Sequence, residues 1–183
     1  MARQTGRIEL ICGPMFAGKT TALLQRLADA RSAGRVVVAI QPAGDTRSGA
    51  GRLRTHGGDV VEAIAIASAP ELATAAARAA VVGIDEAHFF AADLAEACRA
   101  RAACGVRVIV AGVDLDHRGR MFPAIAAIAE CADDVTKLTA PCARCGAPAA
   151  YTQRLVASDA PIVVGGAEAY EPRCAACFEP PAA

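Results

Sequence analysis

No tryptophan occurs among the 183 residues, and the aromatic side chains are limited to five phenylalanines and two tyrosines. The chain is 54% hydrophobic, but much of that fraction is alanine, so the core must be built from small and branched aliphatic groups. Charge of one sign is missing as well. There are 19 basic and 19 acidic residues, so no global field draws the chain to nucleic acid or to an anionic membrane. No apolar run approaches the ~18 residues that a membrane span needs. Residues 1–9 lack the apolar stretch of a signal peptide, and the expected location is the cytoplasm. The length suits one ordinary domain, or a core domain with a small appendage.

Cysteine is the exception to this scarcity, with eight residues. Cys12, Cys98, Cys104 and Cys131 are scattered through apolar segments, where a reduced thiol acts as a small hydrophobe. The other four form two pairs, Cys142-x-x-Cys145 and Cys174-x-x-Cys177. In a reducing compartment such knuckles are metal ligands more often than disulfides. Four thiolates suit a tetrahedral structural zinc with no open coordination position. The interval between the pairs exceeds the ~15–20 residues of the commonest ribbons, which leaves room for an inserted loop.

The segment Gly13-Pro14-Met15-Phe16-Ala17-Gly18-Lys19-Thr20 fits G-x-x-x-x-G-K-[ST]. An apolar run over 8–12 precedes it, and Leu23, Leu24 and Leu27 follow at helical spacing. Two glycines let the backbone curl so that successive N–H groups face phosphate oxygens, and the helix N-terminus adds its positive end. Lys19 is expected to reach the terminal phosphates, and the Thr20 hydroxyl to help hold Mg²⁺. The motif in this setting implies a nucleoside triphosphate site.

Residues 1–139 alternate apolar strands with helical stretches, which implies a parallel α/β sheet flanked by helices, of the phosphate-loop NTPase kind. The pattern predicts strands over 8–12, 35–40, 60–66, 81–84, 106–111 and 135–138, and helices over 20–32, 71–79, 91–104 and 124–131. Ligands of such sheets lie beyond the carboxyl ends of the strands, so the informative loops are 13–19, 42–58, 85–90 and 112–122. Composition changes at 139–141. Residues 140–183 read as a second, small, metal-stapled domain rich in Gly and Pro. Asp85-Glu86 closes the run 81–84, where a carboxylate commonly serves the metal side of a triphosphate site. Asp85 is assigned towards Mg²⁺, and Glu86 towards the proton of an attacking hydroxyl. The competing role for Glu86 is to cap the next helix.

Taken together with Ile84-Asp85-Glu86-Ala87-His88-Phe89-Phe90, the phosphate loop resembles the thymidine kinase family of the cellular, zinc-containing type. Further segments match in order: Asp45-Thr46-Arg47, Thr55-His56, Gly112 to Gly119, Lys137 to Ala140, Tyr151 to Leu155, Val164-Gly165-Gly166 and Tyr170. The resemblance implies ATP as phosphate donor, thymidine or deoxyuridine as acceptor, and a homotetramer. It places Asp45, Arg47, Asp85, Glu86, Ala87 and His88, with the loop 13–20, around the nucleotide. Glu86 would be the base for the 5′-hydroxyl and Arg47 would neutralise charge on the transferring phosphate. Phe89, His117, Phe122, Pro161, Ile162, Val163, Val164, Gly165 and Tyr170 would surround the nucleoside, with 161–165 offering backbone groups to the pyrimidine. The cysteine pairs would pin this lasso at both ends.

Three positions depart from the family pattern: His88 stands where Gln is usual, His117 where Phe is usual, and Met121 where Pro is frequent. An imidazole at 117 can stack on a base and can also protonate near neutral pH; alternatively it is a polar loop residue. Two other readings remain. One is a zinc-ribbon ATPase acting on DNA, which is opposed by the tail's charge: Arg144, Arg154 and Arg173 against Asp159, Glu168, Glu171 and Glu179. The other is a kinase for a different nucleoside or small alcohol.

Overall fold

A computed structural model describes residues 6–45, 51–54, 60–158, 160 and 163–181. Six strands form a parallel sheet: β1 (Arg7–Gly13), β2 (Val37–Pro42), β5 (Ile64–Ile66), β6 (Val81–Ile84), β7 (Arg107–Val113) and β8 (Asp134–Lys137). Their spatial order is β5-β2-β6-β7-β1-β8, and every pair in it runs parallel. The central strands are apolar on both faces, as a sheet covered on both sides requires. Leu10, Ile40, Val82, Ile84, Val108 and Val110 face one way, packing on Leu72, Leu94, Cys98, Ile125 and Ile128. Those partners come from α2 (Glu71–Ala75), α3 (Leu94–Ala103) and α4 (Pro123–Ala129) and their flanks. The alternate residues Ile11, Ala39, Val81, Ile109 and Ala111 face Leu23, Leu24 and Leu27 of α1 (Lys19–Ser32). Each buried leucine there stabilises the fold by roughly 1.5–3 kcal/mol.

The predicted strand 60–66 is two strands. Val60–Glu62 (β4) pairs antiparallel with Arg52–Arg54 (β3), which periodicity did not reveal, while Ile64–Ile66 joins the sheet beside β2. Three helices are shorter than their patterns suggest: α2 ends at Ala75, α3 begins at Leu94 and α4 ends at Ala129. Runs of alanine extend a helical pattern without the larger side chains that would dock it. Cys104 is exposed after α3 rather than packed.

After β8 the chain leaves the sheet. Two antiparallel ribbons follow, Ala140–Pro141 (β9) with Pro148–Ala149 (β10), and Tyr151–Arg154 (β11) with Tyr170–Arg173 (β12). The Tyr151 and Phe178 rings stack at 4.6 Å beside them. Because all six sheet strands point the same way, the residues after β1, β2, β6 and β7 collect at one edge. No helix among the described residues is long and apolar enough to cross a membrane.

Candidate active site

The loop after β1 is shaped for phosphate. Gly13 has φ 141°, and a Cβ there would sit 2.3 Å from the Leu138 carbonyl oxygen. Gly18 precedes α1 with φ 82° and no side chain caps that helix, so its first amides are left to a ligand. Lys19 is buried, and its ammonium donates to the Pro14 carbonyl at 2.6 Å. The Met15 N–H donates to the Thr152 hydroxyl at 3.0 Å. Phe16 takes a left-handed φ of 65°, a conformation that persists in a non-glycine residue only where the surroundings impose it.

Asp85 and Glu86 leave β6 directly beneath this loop. The Thr20 hydroxyl donates to Asp85 Oδ2 at 2.8 Å, and the Glu86 N–H donates to Asp85 Oδ1 at 2.9 Å. Burial, and then the neighbouring Glu86 charge, push Asp85 up to about 7. A buried carboxylate in that condition, beside a hydroxyl, is a hard-oxygen donor set fit for Mg²⁺. Glu86 is left-handed, with φ 50° and ψ 40°. It precedes a single 3-10 turn, Ala87–Phe89, but its side chain makes no cap hydrogen bond there. Helix capping therefore does not account for it.

His88 fills the space behind Glu86. Its Nδ1 accepts the Val113 N–H at 3.3 Å and lies 3.5 Å from Glu86 Oε2. One lone pair cannot accept an amide proton while Nδ1 itself carries one. We assign the neutral ring protonated at Nε2, which makes the approach to Glu86 a contact and not an ion pair. The ring also packs on Phe89 at 4.5 Å and Phe122 at 5.0 Å.

A pocket of about 400 Å³, counted to its open mouth, adjoins this cluster. Six of the expected nucleoside residues line it: Phe89, His117, Phe122, Val163, Gly165 and Tyr170. Val164 is 49% exposed and does not line it. Asp45 is buried just beyond β2. Arg47, Pro161 and Ile162, with Thr46 and Thr55-His56, lie outside the described residues. Met15, expected around the nucleotide, lines this pocket too, and His88 faces it as well as Glu86.

Sequence reasoning missed Val113, Leu115, Asp116, Thr152 and Arg154, which also line the pocket. The Tyr-Thr-Gln-Arg run was visible, yet nothing in its spacing aimed alternate residues at a cavity. Arg154 donates to the Ser158 and Ala160 carbonyls and sits 5.7 Å over the Tyr170 ring. Tyr170 in turn donates to the Val163 carbonyl at 2.9 Å and accepts its N–H at 3.2 Å, which ties Val163 to β12. His117 is 9% exposed, and its buried Nδ1 has no hydrogen-bond partner among the described residues. Burial, and then the Arg154 charge, hold this imidazole below its ordinary value, so the ring is neutral at pH 7.

The four paired cysteines converge, all Sγ atoms lying within 4.8 Å of one another. The Sγ atoms of Cys145 and Cys174 are 3.6 Å apart, close to the ~3.8 Å expected for thiolates around one tetrahedral zinc. Against desolvation, which raises it, backbone N–H groups bring Cys142 down to about 6. Hydrogen bonding among the thiols pushes Cys177 up to about 12. A cluster that stabilises one thiolate and resists a second is suited to a cation that neutralises them together. These cysteines could form a zinc site.

Comparison with known proteins gives the family. The family model described as thymidine kinase matches residues 6–178. A thymidine kinase from Roseiflexus sp. (strain RS-1) is 47% identical, covering 96% of this chain and 96% of its own length. One from Chloroflexus aurantiacus (strain ATCC 29366 / DSM 635 / J-10-fl) is 45% identical, covering 96% and 95%. A third, from Bacteroides fragilis (strain YCH46), is 39% identical over 97% and 89%. With a match that runs from before the phosphate loop to beyond the last cysteine, this chain belongs to the thymidine kinase family.

Proposed function

We propose that this protein transfers the γ-phosphoryl group of ATP to the 5′-hydroxyl of thymidine, or of deoxyuridine, in nucleotide salvage. The observation that carries the reading is the position of Glu86. Its strained backbone stands between the Thr20–Asp85 pair on the phosphate side and the His88 and Phe89 rings on the pocket side. A hydroxyl held in the pocket thus meets a carboxylate on the side from which the phosphate loop presents its substrate.

In the proposed step the 5′-oxygen attacks the γ-phosphorus, the bond to the leaving ADP oxygen breaks, and the hydroxyl proton passes to Glu86. Lys19, the amides of 17–20 and Arg47 hold the phosphates and the charge that develops on them. Mg²⁺, when bound by Thr20 and Asp85, neutralises phosphate charge. Phe89, Phe122 and His117 sandwich the base and sugar, Tyr170 positions the lasso, and backbone groups of 161–165 meet the pyrimidine. Zinc on Cys142, Cys145, Cys174 and Cys177 is structural and anchors that lasso. The family resemblance adds a homotetramer, and the even balance of charge adds a cytoplasmic protein with no role for nucleic acid or membrane.

The test is a panel of nucleosides assayed for ATP-dependent phosphorylation, with metal analysis of the same preparation. Thymidine and deoxyuridine should release ADP with 1:1 formation of the 5′-monophosphate, and one zinc should be found per chain. ATPase activity that responds to DNA and ignores nucleosides would overturn the reading.

A further inference from the structure

The phosphate loop does not spend all of its amides on phosphate. Pro14 has no N–H, and its carbonyl holds the Lys19 ammonium. The next amide, Met15 N–H, is taken by the Thr152 hydroxyl, 137 residues away in sequence. That hydroxyl is almost wholly buried, with Thr152 3% exposed. A hydroxyl has one proton to donate besides the lone pairs it offers, and among the described residues the Thr152 proton has no acceptor. Both residues line the nucleoside pocket. One hydrogen bond therefore joins the wall of the pocket to the third residue of the loop assigned to triphosphate.

The two ends of this bond belong to different structures. Thr152 sits on β11, opposite Pro172 of β12, and the next register pair, Tyr151 with Arg173, adjoins Cys174. The Ala143 N–H, between Cys142 and Cys145, donates to the Pro172 carbonyl at 2.9 Å. The cysteine knuckles thus fix the height of the Thr152 hydroxyl. At the other end, fixing the Met15 N–H sets the Pro14–Met15 peptide plane, whose carbonyl accepts the Lys19 ammonium, one residue ahead of Phe16, whose left-handed conformation must be imposed from outside.

We propose that Thr152 is a positioning residue that couples nucleoside binding to triphosphate binding by holding the Met15 amide. The inference rests on the reading of the pocket as a nucleoside site. A nucleoside acceptor that takes the Thr152 proton makes its oxygen a better acceptor for Met15, since hydrogen bonds in a chain polarise one another. The loop then enters its phosphate-binding shape with less left to order. By linkage, triphosphate strengthens nucleoside binding by the same factor.

The test measures thymidine affinity by calorimetry with and without a non-hydrolysable ATP analogue and Mg²⁺, in wild-type protein and in Thr152→Val and Thr152→Ser. Wild-type protein should bind thymidine at least about 5-fold more tightly when the analogue is present, the lower end of ordinary coupling. Thr152→Ser keeps the hydroxyl and should keep the factor, while Thr152→Val should bring it close to one. Thr152→Val should also bind the analogue alone several-fold more weakly, with zinc content unchanged. A coupling factor near one in wild-type protein, or an unchanged factor in Thr152→Val, overturns the proposal. If wild-type protein binds no thymidine, the nucleoside reading fails; analogue affinity in the two variants still decides whether Thr152 organises the loop.

Discussion

The two ends of the sheet treat a buried carboxylate in opposite ways. At the amino end, Glu9 of β1 is met by the guanidinium groups of Arg7, Arg26 and Arg107. Burial raises it, but hydrogen bonds and charge from Arg107, with help from Arg7 and Arg26, bring it below the ordinary carboxylate value. At the carboxyl end, Asp85 receives a hydroxyl and an amide, carries a second carboxylate beside it, and is pushed up to about 7. The first carboxylate is balanced by the protein itself. The second is left largely unbalanced by the protein, and a carboxylate perturbed in that way is a candidate for an active site.

Three changes break or sharpen the contrast. The largest effect is expected from Glu86→Gln, which removes the proton acceptor and leaves the phosphate cradle in place. Its kcat should fall by ~10²–10⁴ while ATP analogue binding and thermal stability hold, since the like charge beside Asp85 is gone. Single-turnover kinetics with titrated analogue checks this, and turnover near the wild-type value would remove Glu86 from the mechanism.

Glu9→Gln should do the reverse, costing stability and sparing kcat. The arginine partners are partly exposed, with Arg26 at 24% and Arg7 at 55%, so the loss belongs at the lower end of charged hydrogen bonds, about 1.5 kcal/mol. The sign with pH follows from the lowered folded value. The Glu9 contribution is complete above its unfolded value near 4.5 and disappears as pH falls through the folded value. Urea midpoints from pH 7 to pH 3 should fall less steeply in Glu9→Gln than in wild-type protein. Parallel curves would show that Glu9 is not the group concerned.

The smallest effect concerns His117. Its pKa lies below 6.5 because burial and Arg154 disfavour the cation, so nucleoside KM should stay level down to that ordinary value and rise only below it. His117→Phe should lower thymidine KM a few-fold and remove the rise. Profiles that coincide at every pH would place the ring outside the binding step.

Much of this was legible in the chain. The strand–loop–helix around Gly13–Thr20 fell where the motif said, because glycine spacing and an apolar run specify that local turn almost by themselves. The four central sheet strands were legible for a similar reason, since strands buried on both faces are apolar almost throughout. The split of 60–66 was not, because Ala63 interrupts nothing in the pattern and only pairing with Arg52–Arg54 separates the two halves. The short helices α2 and α3 show the same limit, alanine being helical wherever the neighbours permit.

By itself the sequence determined the chemistry available: a lysine and threonine after a glycine turn, two carboxylates after a strand, and four thiols in two pairs. These are local patterns, read within a few residues of backbone. Tertiary structure alone decided that Thr152 meets Met15, that His117 is buried, that Glu86 is left-handed, and that Glu9 is neutralised where Asp85 is not. Those facts depend on which strand ends share an edge and how far each group is taken from water, and both are set by packing between residues far apart in the chain.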